Sequence, residues 1–137
     1  MIWQLSYHRG MSKTLTLYHG TYTSELALHK GLCLTDDWTA AKRYADQYAG
    51  IEGDTPSVHT VEVDMTGLNV VDLGETWRSE PETAAQDAAR FADAAHDHDA
   101  DVIVYGDYAL GVGRMTTWRL LTDRALDAVT IVDAEEV

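Results

Sequence analysis

Asp101-Val102-Ile103-Val104-Tyr105, Thr116-Thr117-Trp118-Arg119-Leu120-Leu121 and Val129-Thr130-Ile131-Val132 follow one another over residues 101–132. Each run is rich in β-branched and aromatic residues, the composition of a half-buried strand. Between the first two lies the glycine-rich stretch Gly111–Gly113, which reads as a loop with room to move. No helical segment separates the three runs, as the crossovers of a doubly wound parallel sheet require. The expected fold class is therefore α+β, with a mostly antiparallel and split sheet.

Working upstream, Pro81–Ala95 reads as a helix. Pro81 suits the first helical turn and Glu82 complements the positive end of the helix dipole. Ala84, Ala88, Phe91 and Ala95 would form its buried stripe. Leu68–Leu73 reads as a strand after the turn at Gly67, and Val58–Asp64 alternates with a period of two. The segment Ile51–Pro56 carries loop signals in Gly53, Asp54 and Pro56. A helix over Trp38–Tyr48 has Ala41, Tyr44, Ala45 and Tyr48 on one face, with Thr35 or Asp36 as its N-cap. Before it come a short buried strand, Leu32–Leu34, a helical turn or two around Glu25–His29, and a strand over Leu15–His19. Residues 1–14 read as peripheral. The tally is six or seven strands and two or three helices in a single domain spanning residues 1–137.

The chain has 137 residues, enough for one domain with a real core, and 45% of them are hydrophobic. Its one cysteine, Cys33, excludes an internal disulfide framework and a cysteine-rich zinc site, and it sits in a strand expected to be buried and inert. No apolar run has the length of a membrane span, so a soluble cytoplasmic protein with no membrane partner is expected. The formal net charge of −13 is unevenly distributed. Residues 1–50 carry five basic and four acidic side chains, residues 51–137 five basic and nineteen acidic ones. An anionic ligand belongs with the first fifty residues, and the acidic remainder repels DNA and RNA.

The chemistry-bearing residues cluster in that near-neutral part. His19-Gly20-Thr21 ends a strand, where an imidazole can enter a cleft beside a flexible backbone and a hydroxyl. Nine residues after Thr35, Tyr44 occupies a helix and could lie against a flat heteroaromatic ring. His96-Asp97-His98-Asp99 with Asp101 reads as a solvated helix end rather than a metal site, and no metal is expected. Gly106–Gly113 lacks the Lys-Ser/Thr of a phosphate loop, so nucleotide hydrolysis is not expected.

Tyr18-His19-Gly20-Thr21, Gly31-Leu32-Cys33-Leu34-Thr35-Asp36 and Ala41-Lys42-Arg43-Tyr44-Ala45 together resemble the NAD-binding half of the ADP-ribosyltransferase fold. In its diphtheria-toxin and poly(ADP-ribose) polymerase branch, a strand ends in His-Gly-Ser/Thr. A Gly-x-Tyr-aromatic strand then runs into a helix ending in a second tyrosine. The resemblance covers about residues 15–133. It implies that His19 bonds the nicotinamide ribose, the Gly20 backbone pairs with the carboxamide, Tyr44 stacks on the ring, and Thr21 and Thr35 line the pocket. Lys42 or Arg43 would reach the pyrophosphate. The first tyrosine of the family's pair falls on Cys33, which cannot stack; either the clamp is weaker, or Tyr22 fills the gap. The family's glutamate, at or just before the Thr116–Leu121 strand, is absent. The nearest carboxylate is Asp107, on the loop leaving the preceding strand. This arrangement is also similar to a phage-encoded anti-CRISPR ADP-ribosyltransferase family acting on type I-F complexes, where an Asp precedes a Thr-Thr-Trp strand across a shorter loop.

The resemblance implies a mono-ADP-ribosyltransferase with NAD as co-substrate, Asp107 and His19 catalytic, and a protein target. The acidic second half suits a basic or nucleic-acid-binding target, a CRISPR effector subunit among them. The alternatives are a non-catalytic acidic DNA mimic on a degenerate version of this fold, and the toxin of a toxin–antitoxin pair.

Overall fold

Apolar–polar alternation along the strands requires a sheet with two different faces, and the computed structural model has one. It describes residues 6–9, 13–75, 81–109 and 113–137. In chain order the elements are β1 (Ser6–Arg9), β2 (Thr14–Thr21), β3 (Leu32–Thr35), α1 (Trp38–Asp46), β4 (Ser57–Asp64), β5 (Asn69–Glu75), α2 (Pro81–Asp97), β6 (Val102–Ala109), β7 (Gly113–Leu120), α3 (Asp123–Asp127) and β8 (Val129–Glu136). The strands form one sheet in the order β1-β5-β6-β7-β3-β2-β4-β8. Among the described residues β5 and β6 are the one parallel pair, with α2 as their crossover, and the other pairs are antiparallel. The architecture is α+β and mostly antiparallel, as expected.

One face buries Leu17, Leu32, Leu34, Val61, Val63, Val102 and Leu120, with Met65 and Ala125 of α3 packed on them. The alternate residues face the longer helices. Phe91 and Ala94 of α2 cover Val71, Leu73, Ile103 and Tyr105, and the Phe91 and Tyr105 rings stack with centroids 4.4 Å apart. Ala41 and Ala45 of α1 pack on Val58 with Tyr18 at the margin. Strand alternation thus puts α1 and α2 on the same face, over opposite halves of the sheet.

Those halves barely meet. β2 and β3 share a single register pair, Tyr18↔Thr35, whereas β2 and β4 pair over eight positions and β6 and β7 over eight. The sheet therefore opens between β2 and β3 beyond Tyr18, on the helix-covered face.

Several expectations are corrected. Residues 6–9, read as peripheral, form the edge strand on β5, and the Lys13 carbonyl accepts a bond from the Met65 amide at 2.8 Å. No helix forms at Glu25–His29. Asp37, rather than Thr35 or Asp36, caps α1, its Oδ1 accepting from the Ala40 amide at 3.1 Å. That helix ends at Asp46, so Tyr48 lies beyond it. The stripe of α2 runs through Phe91 and Ala94, while Ala88 is exposed; the Ala84 side chain lies outside the described residues. Of Gly111–Gly113, residues 111 and 112 lie outside the described set, and Gly113 already begins β7. A five-residue helix, α3, intervenes before β8; it is too short to leave a helical period in the sequence.

Asp101 is a framework residue. It precedes β6, is buried, and accepts from the Asn69 amide (2.9 Å), the Thr122 hydroxyl (2.7 Å) and the Arg124 guanidinium (3.0 Å). Arg124 also donates to the Gly67 carbonyl. The carboxylate thereby ties the start of β5 to the start of α3. None of the helices among the described residues is long and apolar enough to cross a membrane.

Candidate functional site

The opening between β2 and β3 forms a cavity of about 240 Å³ bounded by α1 on one side and β6–β7 on the other. His19 and Gly20 reach it from β2, Cys33 and Thr35 from β3, Tyr44 from α1, Tyr105 and Asp107 from β6, and Thr117 from β7. Five of the six residues singled out from the sequence meet here. Thr21 does not: it pairs with Ser57 at the end of β2, away from the cavity walls.

The local sequence explains each placement. Gly20 lies directly beneath α1, where an added Cβ would come within 1.9 Å of the Ala41 carbonyl oxygen. Helix packing by itself therefore demands glycine here, before any ligand is considered. Gly31, with φ of 92°, makes the turn that sends the chain back into β3, a conformation costly for any residue with a Cβ. Thr35 uses its hydroxyl to accept from the Asp37 amide at 3.1 Å, fixing the residue that caps α1. The cap in turn orients the helix that carries Tyr44.

His19 Nδ1 bonds the Cys33 carbonyl oxygen at 2.7 Å. A carbonyl only accepts, so Nδ1 carries the proton and the neutral ring presents Nε2 as an acceptor. Burial pushes the His19 pKa below 6.5; the Cys33 carbonyl opposes this, and His59 and His29 add to it. His19 is thus neutral at neutral pH.

Tyr44 is 56% exposed, so it is not a core residue packed with Ala41 and Tyr48; its ring stands at the cavity. Tyr22 does not fill the place left by Cys33, because it packs against Tyr48 with centroids 5.2 Å apart. The aromatic walls come instead from Tyr18 and Tyr105, which the sequence reading did not single out. Cys33 is exposed at the cavity rather than buried, with its thiol 3.5 Å from the Gly31 carbonyl oxygen. Lys42 is engaged by Asp46 at 3.0 Å, and neither it nor Arg43 lines the cavity.

Asp107 is on a strand, not on a loop. It lies within β6, opposite Met115 of β7 and on the same face as Tyr105. The loop expectation failed because Gly106 reads as a terminator, whereas the strand runs through it. Asp107 and Met115 also line a second, more open cavity of about 440 Å³, with Asp36, Asp37, Trp38, Arg114 and Thr116. The carboxylate therefore stands between a recess lined by aromatic rings and a wider acidic cleft.

Such an arrangement can hold a flat ring against Tyr44, accept hydrogen bonds from ligand hydroxyls at His19 Nε2, and set a negative charge at the boundary of two compartments. No protein-family model and no curated protein matches this chain.

Proposed function

We propose that this protein is a mono-ADP-ribosyltransferase that moves ADP-ribose from NAD to a protein target. The observation that carries this reading is the meeting of His19, Gly20, Thr35, Tyr44 and Asp107 around one cavity. They come from four separate elements, and each was singled out for this chemistry from sequence alone.

The residues fit the nicotinamide riboside end of NAD. Tyr44 offers an exposed ring, His19 a neutral acceptor suited to ribose hydroxyls, and Tyr18 and Tyr105 further apolar wall surface. NAD supplies a ribose C1–nitrogen bond whose electron pair can depart with nicotinamide. Positive charge develops on the ribose as that bond breaks, and the Asp107 carboxylate stabilises it electrostatically. The acceptor's lone pair forms the new bond to C1, and its proton passes to Asp107 or to water. In this reading Asp107 takes the role of the family's glutamate.

The wider cleft beyond Asp107, with Asp36 and Asp37 on its walls, is where the target would approach. Its acidity, and the exposed Asp133, Glu135 and Glu136 on the edge strand β8, favour a basic or nucleic-acid-binding protein, such as a CRISPR effector subunit. The setting we propose is the cytoplasm, that of the host cell if the protein is phage-encoded.

The test is incubation with NAD labelled in its adenylate part, in lysates that contain candidate targets. Label transferred to protein by the wild type, and lost with Asp107→Ala and His19→Ala, supports the reading. Absence of labelled product in every lysate sinks it. Tight, steeply salt-dependent binding of a basic partner without NAD, unaffected by Asp107→Asn, would instead favour an acidic mimic.

A further inference from the structure

The floor of the aromatic recess is a row of three hydroxyl-bearing residues on adjacent strands. Thr117 of β7 stands opposite Thr35 of β3 on one side and Tyr105 of β6 on the other. All three are more than nine-tenths buried and line the recess. They differ in how their polar atoms are used. The Thr35 hydroxyl accepts from the Asp37 amide. The Tyr105 ring is stacked on Phe91. The Thr117 hydroxyl, 4% exposed as a residue, has no hydrogen-bond partner among the described residues.

A buried hydroxyl without a partner is destabilising relative to one that is satisfied. Valine has nearly the shape of threonine and would avoid that cost at a position this central in the sheet. A hydroxyl left unsatisfied on a cavity wall is explained when a bound molecule completes it.

We infer that Thr117 is a ligand-binding residue whose hydroxyl bonds a polar atom of the ribosyl-nicotinamide part of NAD at the closed end of the recess. The inference rests on the transferase reading for the identity of the ligand. By sequence Thr21 and Thr35 are the hydroxyl residues expected to line the pocket; Thr21 lies away from it, and the Thr35 hydroxyl already accepts from the Asp37 amide. Thr117 supplies the uncommitted group one strand away. Being set in a central strand, it is held rigidly, so it selects against ligands that bring an apolar atom to that depth.

The experiment measures NAD affinity by calorimetry and thermal stability for the wild type, Thr117→Val and Thr117→Ser. Thr117→Val should weaken NAD binding about tenfold, and Thr117→Ser should stay within about threefold of the wild type. The melting temperature of Thr117→Val should be unchanged or higher, because no internal bond is lost. Equal NAD affinity for wild type and Thr117→Val overturns the inference while leaving the transferase reading standing. A fall of about 4 °C or more in Thr117→Val marks an internal partner and overturns it whether or not NAD binds. Failure of the wild type to bind NAD overturns both, and is told apart by occurring before any substitution.

Discussion

His19 Nδ1 donates to the Cys33 carbonyl oxygen at 2.7 Å, bridging β2 and β3 at the point where their main chains part. The bond fixes both the ring's orientation and its tautomer. Protonation would turn Nε2 from an acceptor into a donor and place a cation beside His59, its register partner on β4. Unfolded, the imidazole titrates near 6.5; folded, it titrates lower. Between those values the unfolded chain holds more protons, so the contribution of His19 to stability is full above pH 6.5 and declines as pH falls through that window. NAD affinity depends on the folded ring alone, so it should stay flat through that window and fall only as pH drops to the lowered value and below it. A binding titration from pH 8 to pH 5 checks this, and His19→Gln should flatten the profile.

Asp107 and His19 should separate in their kinetic effects. Asp107→Asn keeps the shape of the side chain and removes the charge proposed to stabilise the developing ribose cation. Transfer should fall about 100-fold or more while NAD affinity changes by less than about fivefold. His19→Ala should act first on binding. Single-turnover labelling beside equilibrium binding distinguishes the two, and a parallel loss of affinity in Asp107→Asn would contradict the assigned role.

The β3–α1 segment shows how far the sequence reached and where it stopped. The alternation of Leu15–His19 and Val58–Asp64 is imposed by one buried face, and both strands form where expected. The stripe of α1 was legible through Ala41 and Ala45. What the period could not tell is which neighbour on that stripe faces solvent, and Tyr44 proves exposed at the cavity edge while the alanines are buried. Cys33 was expected buried because it lies between Leu32 and Leu34, yet those two share a face and Cys33 takes the other. Thr117 was invisible for a related reason. Its role depends on an unfilled bond, and spacing along the chain says nothing about bonds across strands. Asp107 was found by chemistry but misplaced by local pattern, since Gly106 marks turns more often than strand interiors.

Gly20 sits under α1, and the backbone of Ala41 fills the space a side chain would need. Gly20→Ala should therefore destabilise the protein by about 3 kcal/mol or more, because a backbone carbonyl on a packed helix cannot move aside as a side-chain tip can. Chemical denaturation measures this directly. Near-wild-type stability would mean that α1 is free to lift from the sheet.

The Asp101 carboxylate holds three donors from two segments in a buried position. Asp101→Ala leaves the Asn69 amide and the Thr122 hydroxyl without that acceptor, and should cost about 2–4 kcal/mol. Asp101→Asn should recover part of this, since it retains one acceptor oxygen. The loss should appear in the unfolding midpoint and not in NAD affinity at a temperature where the variant is folded, because Asp101 is not among the walls of either site cavity.

Tyr44 provides the converse case, a residue that should matter for ligand and not for fold. Its ring is more than half exposed, whereas the buried residues of α1 are Ala40, Ala41 and Ala45. Tyr44→Ala should shift stability by less than about 0.5 kcal/mol, the range of ordinary surface substitutions. Stacking of a flat ring is worth about 0.5–1.5 kcal/mol, so NAD affinity should fall by about 2- to 13-fold. Tyr44→Phe should retain the affinity, because the face of the ring and not its hydroxyl makes the contact. If Phe and Ala weaken binding equally, the hydroxyl is what the ligand meets, and the ring of Tyr44 does not stack on nicotinamide.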